Sequence, residues 1–417
     1  MAQHIADRLH AEGPKRILAL DGGGTRGIVT IAFLERIEEL LRRRFDNPKL
    51  VLSDYFDLIG GTSVGSMLAT LLAMGKEVAY IREKFESWAP RIFARKGDGV
   101  VYHVFDARVL RGSVQSEVLD RRMSSPDLKT GLCIVTKRID TGSVWPVINN
   151  PLDQYFLGRP GIGNEAPRKG NGDYKLLDII RASTAAPKYF SPMDIGIFEG
   201  EMEDTDGLVV TFVDGAVSPH NCPALQLFMM AGISGYNLGG GELEPRGNRR
   251  AWKLGADNLL IVSVGTGSYD HRANRSRLSA GLDAAYALEG MISDGQQLAL
   301  TLLQWMSIPR KAWHIDRVLS DLNHDLLGDG AGLTKPLLTF QRYDVRMENA
   351  WLEAEKIVGK PFASAHLERL RDFTNPDTIA ELYGLAAKAA AEQVSEDDFP
   401  TVFDRLWRPA GPKMEPA

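Results

Sequence analysis

Two residues of this chain are best suited to do chemistry: Ser63, set among small residues, and Asp214, far downstream of it. Ser63 lies in Gly61-Thr62-Ser63-Val64-Gly65, after the apolar run Phe56 to Gly60 and before a helical stretch starting near Val64. This has the form of a nucleophile elbow, a sharp strand-to-helix turn that lifts a hydroxyl out of a sheet. Small neighbours let the backbone fold tightly, and the free N–H groups of the following helix point toward charge developing beside the serine. A serine hydroxyl attacks poorly until a base takes its proton. None of the eight histidines sits in a recognisable base motif, and Ser63 comes too early for the elbow of an α/β-hydrolase, which follows several strands. A lone carboxylate fits better. Asp214 closes the apolar run Leu208 to Val213 and precedes Gly215-Ala216, at the carboxyl end of a strand, where the sites of open α/β sheets gather. Burial there raises a carboxylate's pKa toward a range useful for taking a hydroxyl proton.

The third element is Asp21-Gly22-Gly23-Gly24-Thr25-Arg26-Gly27. Consecutive glycines let main-chain N–H groups converge on an anion, as a tetrahedral oxyanion requires, and Arg26 adds fixed positive charge. Asp21 is expected to steady the loop by accepting main-chain hydrogen bonds. The same loop satisfies the Gly-x-Gly-x-x-Gly dinucleotide fingerprint. The acidic residue that fingerprint needs about 20 positions on falls instead in the turn Asp46-Asn47-Pro48, which argues against a nucleotide fold. Each residue also has a plainer reading. Ser63 also reads as a helix cap, Asp214 as a turn aspartate, Arg26 as an ion-pair partner and His220 as a structural loop histidine. Gly265-Thr266-Gly267 reads as a strand-to-loop turn.

These residues need a sheet to hold them. Arg16 to Leu20 reads as a buried parallel strand, followed by an amphipathic helix over Ile28 to Phe45. Further strands are predicted at Leu132–Thr136, Val144–Ile148, Leu208–Val213, Leu259–Val264 and Leu337–Val345, with helices at Glu77–Trp88 and Lys175–Ala182. The alternation predicts a three-layer α/β/α sandwich with a mostly parallel central sheet. Two Gly-, Pro- and Asn-rich segments, Gly158–Asp173 and Gly232–Asn248, read as surface loops rimming the site. A long helix over Gly281–Met306 carries the stripe Leu288, Met291, Leu298, Leu302 and Trp305. The stripe is expected to pack on the core, with an acyl groove as the lesser alternative. After Arg346 the pattern is helical throughout: Glu348–Val358, Ala363–Phe373 and Pro376–Val394. The expected organisation is a lead segment 1–15, a catalytic domain 16–345 and a C-terminal helical extension with a tail, 346–417.

Four strings stand in the order found in patatin-like phospholipases: Asp-Gly-Gly-Gly-Thr-Arg-Gly at 21–27, Gly-Thr-Ser-Val-Gly at 61–65, Ala-Ser-Thr-Ala-Ala-Pro at 182–187, and Asp-Gly-Ala at 214–216. The chain resembles that family over roughly Arg16 to Val345. The resemblance implies lipid acyl hydrolysis by a Ser63–Asp214 dyad, with Gly22, Gly23, Gly24 and Arg26 as the oxyanion loop and no cofactor or metal. It implies a phospholipid or other acyl-ester substrate, and Thr184, Lys188 and Tyr189 as pocket wall. One departure is Ala216, where many members have glycine. Some bacterial members act on membrane phospholipid in antiphage defence when a nucleotide second messenger triggers them, so a nucleotide activator acting through the C-terminal helices is a further expectation. A catalytically quiet lipid-binding or storage protein of the same fold is the alternative.

Composition agrees with an ordinary globular enzyme: 417 residues, 44% hydrophobic and 25% charged. A net charge of −5 argues against a nucleic-acid partner. Cys133 and Cys222 are the only cysteines, too few for a disulfide framework, so a reducing cytoplasm is expected, with lipid contact only at the membrane periphery.

Overall fold

The computed structural model describes residues 3–95, 103–160, 167–197, 209–239, 251–270, 280–316, 318–322 and 335–406, with only the backbone over 280–288. The first elements are α1 (Gln3–His10), β1 (Lys15–Leu20), α2 (Gly27–Arg44), α3 (Leu52–Tyr55), β2 (Leu58–Thr62), α4 (Val64–Ala73), α5 (Val78–Ile92) and α6 (Ala107–Val118). Next come β3 (Gly131–Arg138), β4 (Val144–Ile148), α7 (Leu176–Ser183), β5 (Met193–Gly196), β6 (Val209–Asp214), α8 (Ala224–Gly232) and β7 (Leu259–Val264). The chain continues through α9 (Ala280–Trp305), β8 (Ser307–Pro309), β9 (Leu338–Tyr343), α10 (Asn349–Ala354), α11 (Ser364–Arg371) and α12 (Ile379–Gln393).

The described residues form a nine-stranded sheet in the order β5-β6-β3-β2-β1-β7-β9-β8, with β4 also on β3. Strands β3, β2, β1, β7, β9 and β8 run parallel to one another, whereas β4 and β6 pair antiparallel with β3, and β5 antiparallel with β6. The sheet is therefore mostly parallel, with one antiparallel flank. Strands β1, β7 and β9 are buried along their whole length, as expected where helices cover both faces. Adjacent positions of β2 show the layering. A Cβ on Gly60 would meet Leu227 of α8, and one on Gly61 would meet the Gly65 backbone of α4; successive strand residues face opposite sides, so α8 and α4 lie on opposite faces.

The pairing along β3 explains how distant residues meet. Strand β4 takes one edge of β3 over residues 133–137. On the other edge, β2 runs up to Thr62 opposite Val135, and β6 runs down from beyond it to Asp214 opposite Thr136. Two strands with opposite directions thus end head to head, one residue apart along a shared edge. Their carboxyl ends face each other.

Helix α2 buries Ile28, Ile31, Leu34, Ile37 and Leu41 and ends in Arg42, Arg43 and Arg44, cations that suit a helix C-terminus. Helix α12 packs along α2, where the Tyr383 hydroxyl donates to Glu35 at 2.5 Å.

Several expectations are corrected. Strand β2 lies two residues later than Phe56–Gly60, because Gly61 and Thr62 continue the ladder up to the turn at Ser63. In α9, Met291, Leu298 and Trp305 face outward, 71%, 55% and 45% exposed; Leu302 is partly buried and the Leu288 side chain lies outside the described residues. The helix turns Ile292 and Leu300 inward instead. Within 158–173 and 232–248, none of the described residues rims the site cavity; residues 161–166 and 240–248 lie outside the description.

Candidate active site

The site sits at the carboxyl ends of β1, β2 and β6. Ser63 takes φ 54° and ψ −126°, a backbone conformation that costs a non-glycine residue about 1–3 kcal/mol and persists only where neighbours enforce it. The flanking glycines permit the enforcing contacts. A Cβ on Gly61 would lie 2.0 Å from the Gly65 carbonyl oxygen, and one on Gly65 would lie 2.2 Å from that of Leu20. Helix α4 starts at the next residue, so its N-terminal dipole faces the hydroxyl.

Ser63 Oγ donates to Asp214 Oδ2 at 2.6 Å. The Ala216 N–H donates to the other oxygen, Asp214 Oδ1, at 2.8 Å. That bond comes from the main chain, so alanine at 216 serves as well as glycine would. Asp214 is 1% exposed. Burial pushes its pKa up to about 7, against the bonds from Ser63 and Ala216 and the charge of Arg181. A carboxylate held near neutrality can accept a hydroxyl proton at physiological pH. His220, the nearest histidine in sequence, instead places its main-chain carbonyl under the Thr62 hydroxyl, 2.7 Å away, and burial lowers its own pKa.

The glycine loop closes over the serine. A Cβ on Gly22 would meet Ser63 Cβ at 3.1 Å and Asn221 Oδ1 at 2.4 Å, so only glycine fits at this approach. The Gly22 N–H donates to the Asn221 carbonyl at 3.1 Å, and among the described residues the amides of Gly23 and Gly24 have no partner. Thr266 Oγ donates to the Gly22 carbonyl at 2.8 Å and fixes that peptide from behind. The Arg26 guanidinium lies 5.5 Å from the centre of the Tyr269 ring, and its Nε and Nη1 have no hydrogen-bond partner among the described residues. Asp21 is held differently from expectation: its carboxylate accepts from Arg342 Nη2 at 2.7 Å, and that guanidinium also donates to Asp344 at 2.8 Å. A side-chain cation, not the main chain, is the partner of its Oδ2, because β9 brings Arg342 under the loop.

One contributor escaped the sequence reading. Ser183 Oγ accepts the main-chain N–H of Ser63 at 2.9 Å and donates to the Val135 carbonyl at 2.7 Å, tying the elbow to β3. It lies in the string 182–187, so the signal was present without a role attached.

A cavity of about 450 Å³ opens in front of the pair. Gly22, Gly23, Gly24, Arg26, Ser63 and Asp214 all line it, as do Thr184, Lys188 and Tyr189. Its far wall is apolar and aromatic, with Phe85, Trp88, Ile92 and Phe93 from the α5 side, Phe105, and Phe190. Its other side is α9, through Ile292, Gln296 and Leu300. The residues of α9 that line the cavity are thus not those of the expected stripe. Such a space suits a flexible hydrocarbon chain running up to a polar, hydroxyl-bearing floor.

Known proteins bear on this geometry. The model of the patatin-like phospholipase family matches residues 18–228, about half of the chain. A cGAMP-activated phospholipase of Escherichia coli is 26% identical over 338 residues, covering 80% of this chain and 84% of that protein. One of Vibrio cholerae is 34% identical over 194 residues, 44% of this chain and 51% of that protein. Patatin-T5 of Solanum tuberosum is 25% identical over 311 residues, covering 73% and 71%. The family match runs from the first strand past both ends of the Ser63–Asp214 contact, and on that ground the chain belongs to the patatin-like phospholipase family and is an ester-hydrolysing serine hydrolase.

Proposed function

We propose that the chain hydrolyses fatty-acyl esters of glycerophospholipids by a Ser63–Asp214 dyad. Asp214 takes the Ser63 hydroxyl proton as the serine oxygen bonds to the ester carbonyl carbon. The oxyanion so formed meets the amides of Gly23 and Gly24, with Gly22 shaping the turn and Arg26 supplying positive charge. As the tetrahedral species collapses, the proton passes to the leaving alkoxide, which departs as a lysolipid, and the acyl group stays on Ser63. Water then gives its proton to Asp214 and adds to the acyl-enzyme; as the second tetrahedral species collapses, that proton returns to Ser63 Oγ and the fatty acid leaves. The observation that carries this reading is the 2.6 Å contact between Ser63 Oγ and a carboxylate that burial holds near pKa 7.

The test is fatty-acid release from phosphatidylcholine and phosphatidylglycerol vesicles by wild type, Ser63→Ala and Asp214→Asn, alongside fluorophosphonate labelling. Both variants lose turnover together if the dyad operates, with labelling abolished in Ser63→Ala and strongly slowed in Asp214→Asn. Absence of labelling in the wild type would favour the catalytically quiet alternative. A near-normal rate for Asp214→Asn would move the base role to another group.

Lipid contact at the membrane periphery is part of the same proposal. Among the described residues no helix is long and apolar enough to cross a membrane. Met291, Leu298 and Trp305 instead give α9 an outward apolar stripe on the side away from the cavity, a pattern suited to lying in a lipid surface. Vesicle flotation with Met291→Ser/Leu298→Ser checks it, and unchanged flotation rejects it. Nucleotide activation is supported by the names of two relatives; release rates with and without cGAMP decide it.

A further inference from the structure

The segment joining α11 to α12 lies outside the residues matched by the family model, yet it reaches the glycine loop. The Phe373 carbonyl accepts the Thr25 N–H at 2.8 Å. A Cβ on Gly24 would lie 2.3 Å from that oxygen and 3.1 Å from the Phe373 ring, so the strand of backbone presses directly on the turn that carries the two unengaged amides. The ring itself lines the cavity and meets Tyr189 edge to face, with centroids 5.1 Å apart at 74°. Tyr189 in turn stacks on Phe105. These three rings form one continuous wall.

This strap is firmly anchored at both ends. Arg371 donates from Nε and Nη2 to the Met347 carbonyl at 3.0 and 2.7 Å and lies 4.9 Å from the centre of the Tyr269 ring, the ring Arg26 also approaches. Asp372 Oδ1 accepts from both the N–H and the hydroxyl of Thr374, and Asn375 Oδ1 caps the next turn through the Asp377 N–H. Beyond it, α12 packs along α2, the helix that leaves the glycine loop at Gly27.

We infer that this C-terminal strap is a working part of the site. The Phe373 carbonyl positions the Gly23–Thr25 turn for the oxyanion, and the Phe373 ring sets how much acyl chain the cavity accepts. Phe373 is a positioning and specificity-determining residue. It holds the loop through Thr25 and offers its ring to the chain. The inference rests on Ser63 as nucleophile. An oxyanion donor displaced by a fraction of an ångström weakens stabilisation in the transition state more than in the ground state, so loosening the strap lowers kcat rather than raising KM.

The experiment uses the full chain with p-nitrophenyl butyrate and p-nitrophenyl dodecanoate. Asp372→Ala/Asn375→Ala removes the two caps of the strap without touching the cavity lining. It is expected to lower kcat about tenfold on both esters with KM unchanged, and to slow fluorophosphonate labelling equally. Phe373→Ala opens the wall beside Tyr189 and is expected to raise the dodecanoate-to-butyrate ratio of kcat/KM about tenfold, with Phe373→Leu intermediate and serving if the alanine variant folds poorly. A kcat within twofold of wild type in the double variant overturns the positioning role, and a ratio within twofold in the Phe373 variants overturns the specificity role. Turnover by Ser63→Ala would overturn the nucleophile itself, whereas a dead Ser63→Ala beside unaffected strap variants would overturn only the strap.

Discussion

A buried carboxylate stands at each end of β2, and the two are treated in opposite ways. Asp57, just before the strand, accepts the Arg16 main-chain N–H at 2.9 Å and its guanidinium at 3.0 Å through both oxygens, and Arg8 lies at 3.6 Å. Burial alone would raise its pKa, but Arg16 and Arg8 outweigh burial and hold it below the ordinary carboxylate value. Asp214, at the other end, has a hydroxyl and one amide as its hydrogen-bond partners and, among the described residues, no guanidinium in contact. Its pKa rises to about 7. Equal desolvation thus yields a permanent anion where cations are supplied and a proton acceptor where they are withheld. The first braces the fold, and the second is available for chemistry.

The comparison can be broken most directly by exchange of function for stability. Ser63→Ala and Asp214→Asn are each expected to cut ester hydrolysis about 10⁴-fold, with the double variant little worse than either, since the pair acts as a unit. Steady-state kinetics on a single preparation checks this. Asp57→Ala should do the reverse. It leaves Arg16 and Arg8 buried without their anion, and is expected to cost about 3–5 kcal/mol in urea unfolding, while the fraction that stays folded keeps a near-wild-type kcat.

The two ends also predict opposite pH windows. The stabilisation from Asp57 is present above its unfolded pKa and is lost as pH falls through its depressed folded pKa. Asp214 carries a raised folded pKa, so its favourable contribution is full below the unfolded value and fades as pH rises through about 7. Asp214→Asn is therefore expected to gain stability over wild type progressively between pH 5 and pH 8, by about 2 kcal/mol at the upper end; thermal melts across that range show it. Over the same range wild-type kcat/KM rises with an apparent pKa near 7. The smallest effect expected is from Ser183→Ala, which removes the acceptor for the Ser63 N–H. A kcat loss of about five- to tenfold, with a stability loss of about 1 kcal/mol, follows from one missing buried hydrogen bond.

Much of this was legible because it is local. The bounds of β4 and β7 coincide with the apolar runs Val144–Ile148 and Leu259–Val264, and the glycine strings marked both turns. Edge strands β5 and β8 went unread, being four and three residues long, too short for a period to register. Helices α1, α6 and α8 were also unread, their patterns being weaker than the motifs beside them. The stripe on α9 was found with the right period but assigned to the wrong side. Periodicity identifies a face, whereas its destination depends on what packs there, and a substrate cavity accepts Gln296 and Ser293 where a core would not. Phe373 and Arg342 could not be reached at all, since their partners, Thr25 and Asp21, lie more than 300 residues away in the chain.

The head-to-head meeting of β2 and β6 on a single edge of β3 has a consequence for variation and design. Because the ladder itself sets how near the two chain ends come, those stretches of the excursion between them that neither line the cavity nor hold Ser63, as Ser183 does, can change in length or composition without altering reactivity, provided both ladders keep their alignment. The converse is a vulnerability: sliding β6 by one residue would send its final carboxylate to the reverse side of the sheet. The same slip would turn Val210 and Phe212 out of the core, so a small deletion ahead of Val209 would cost stability together with reactivity.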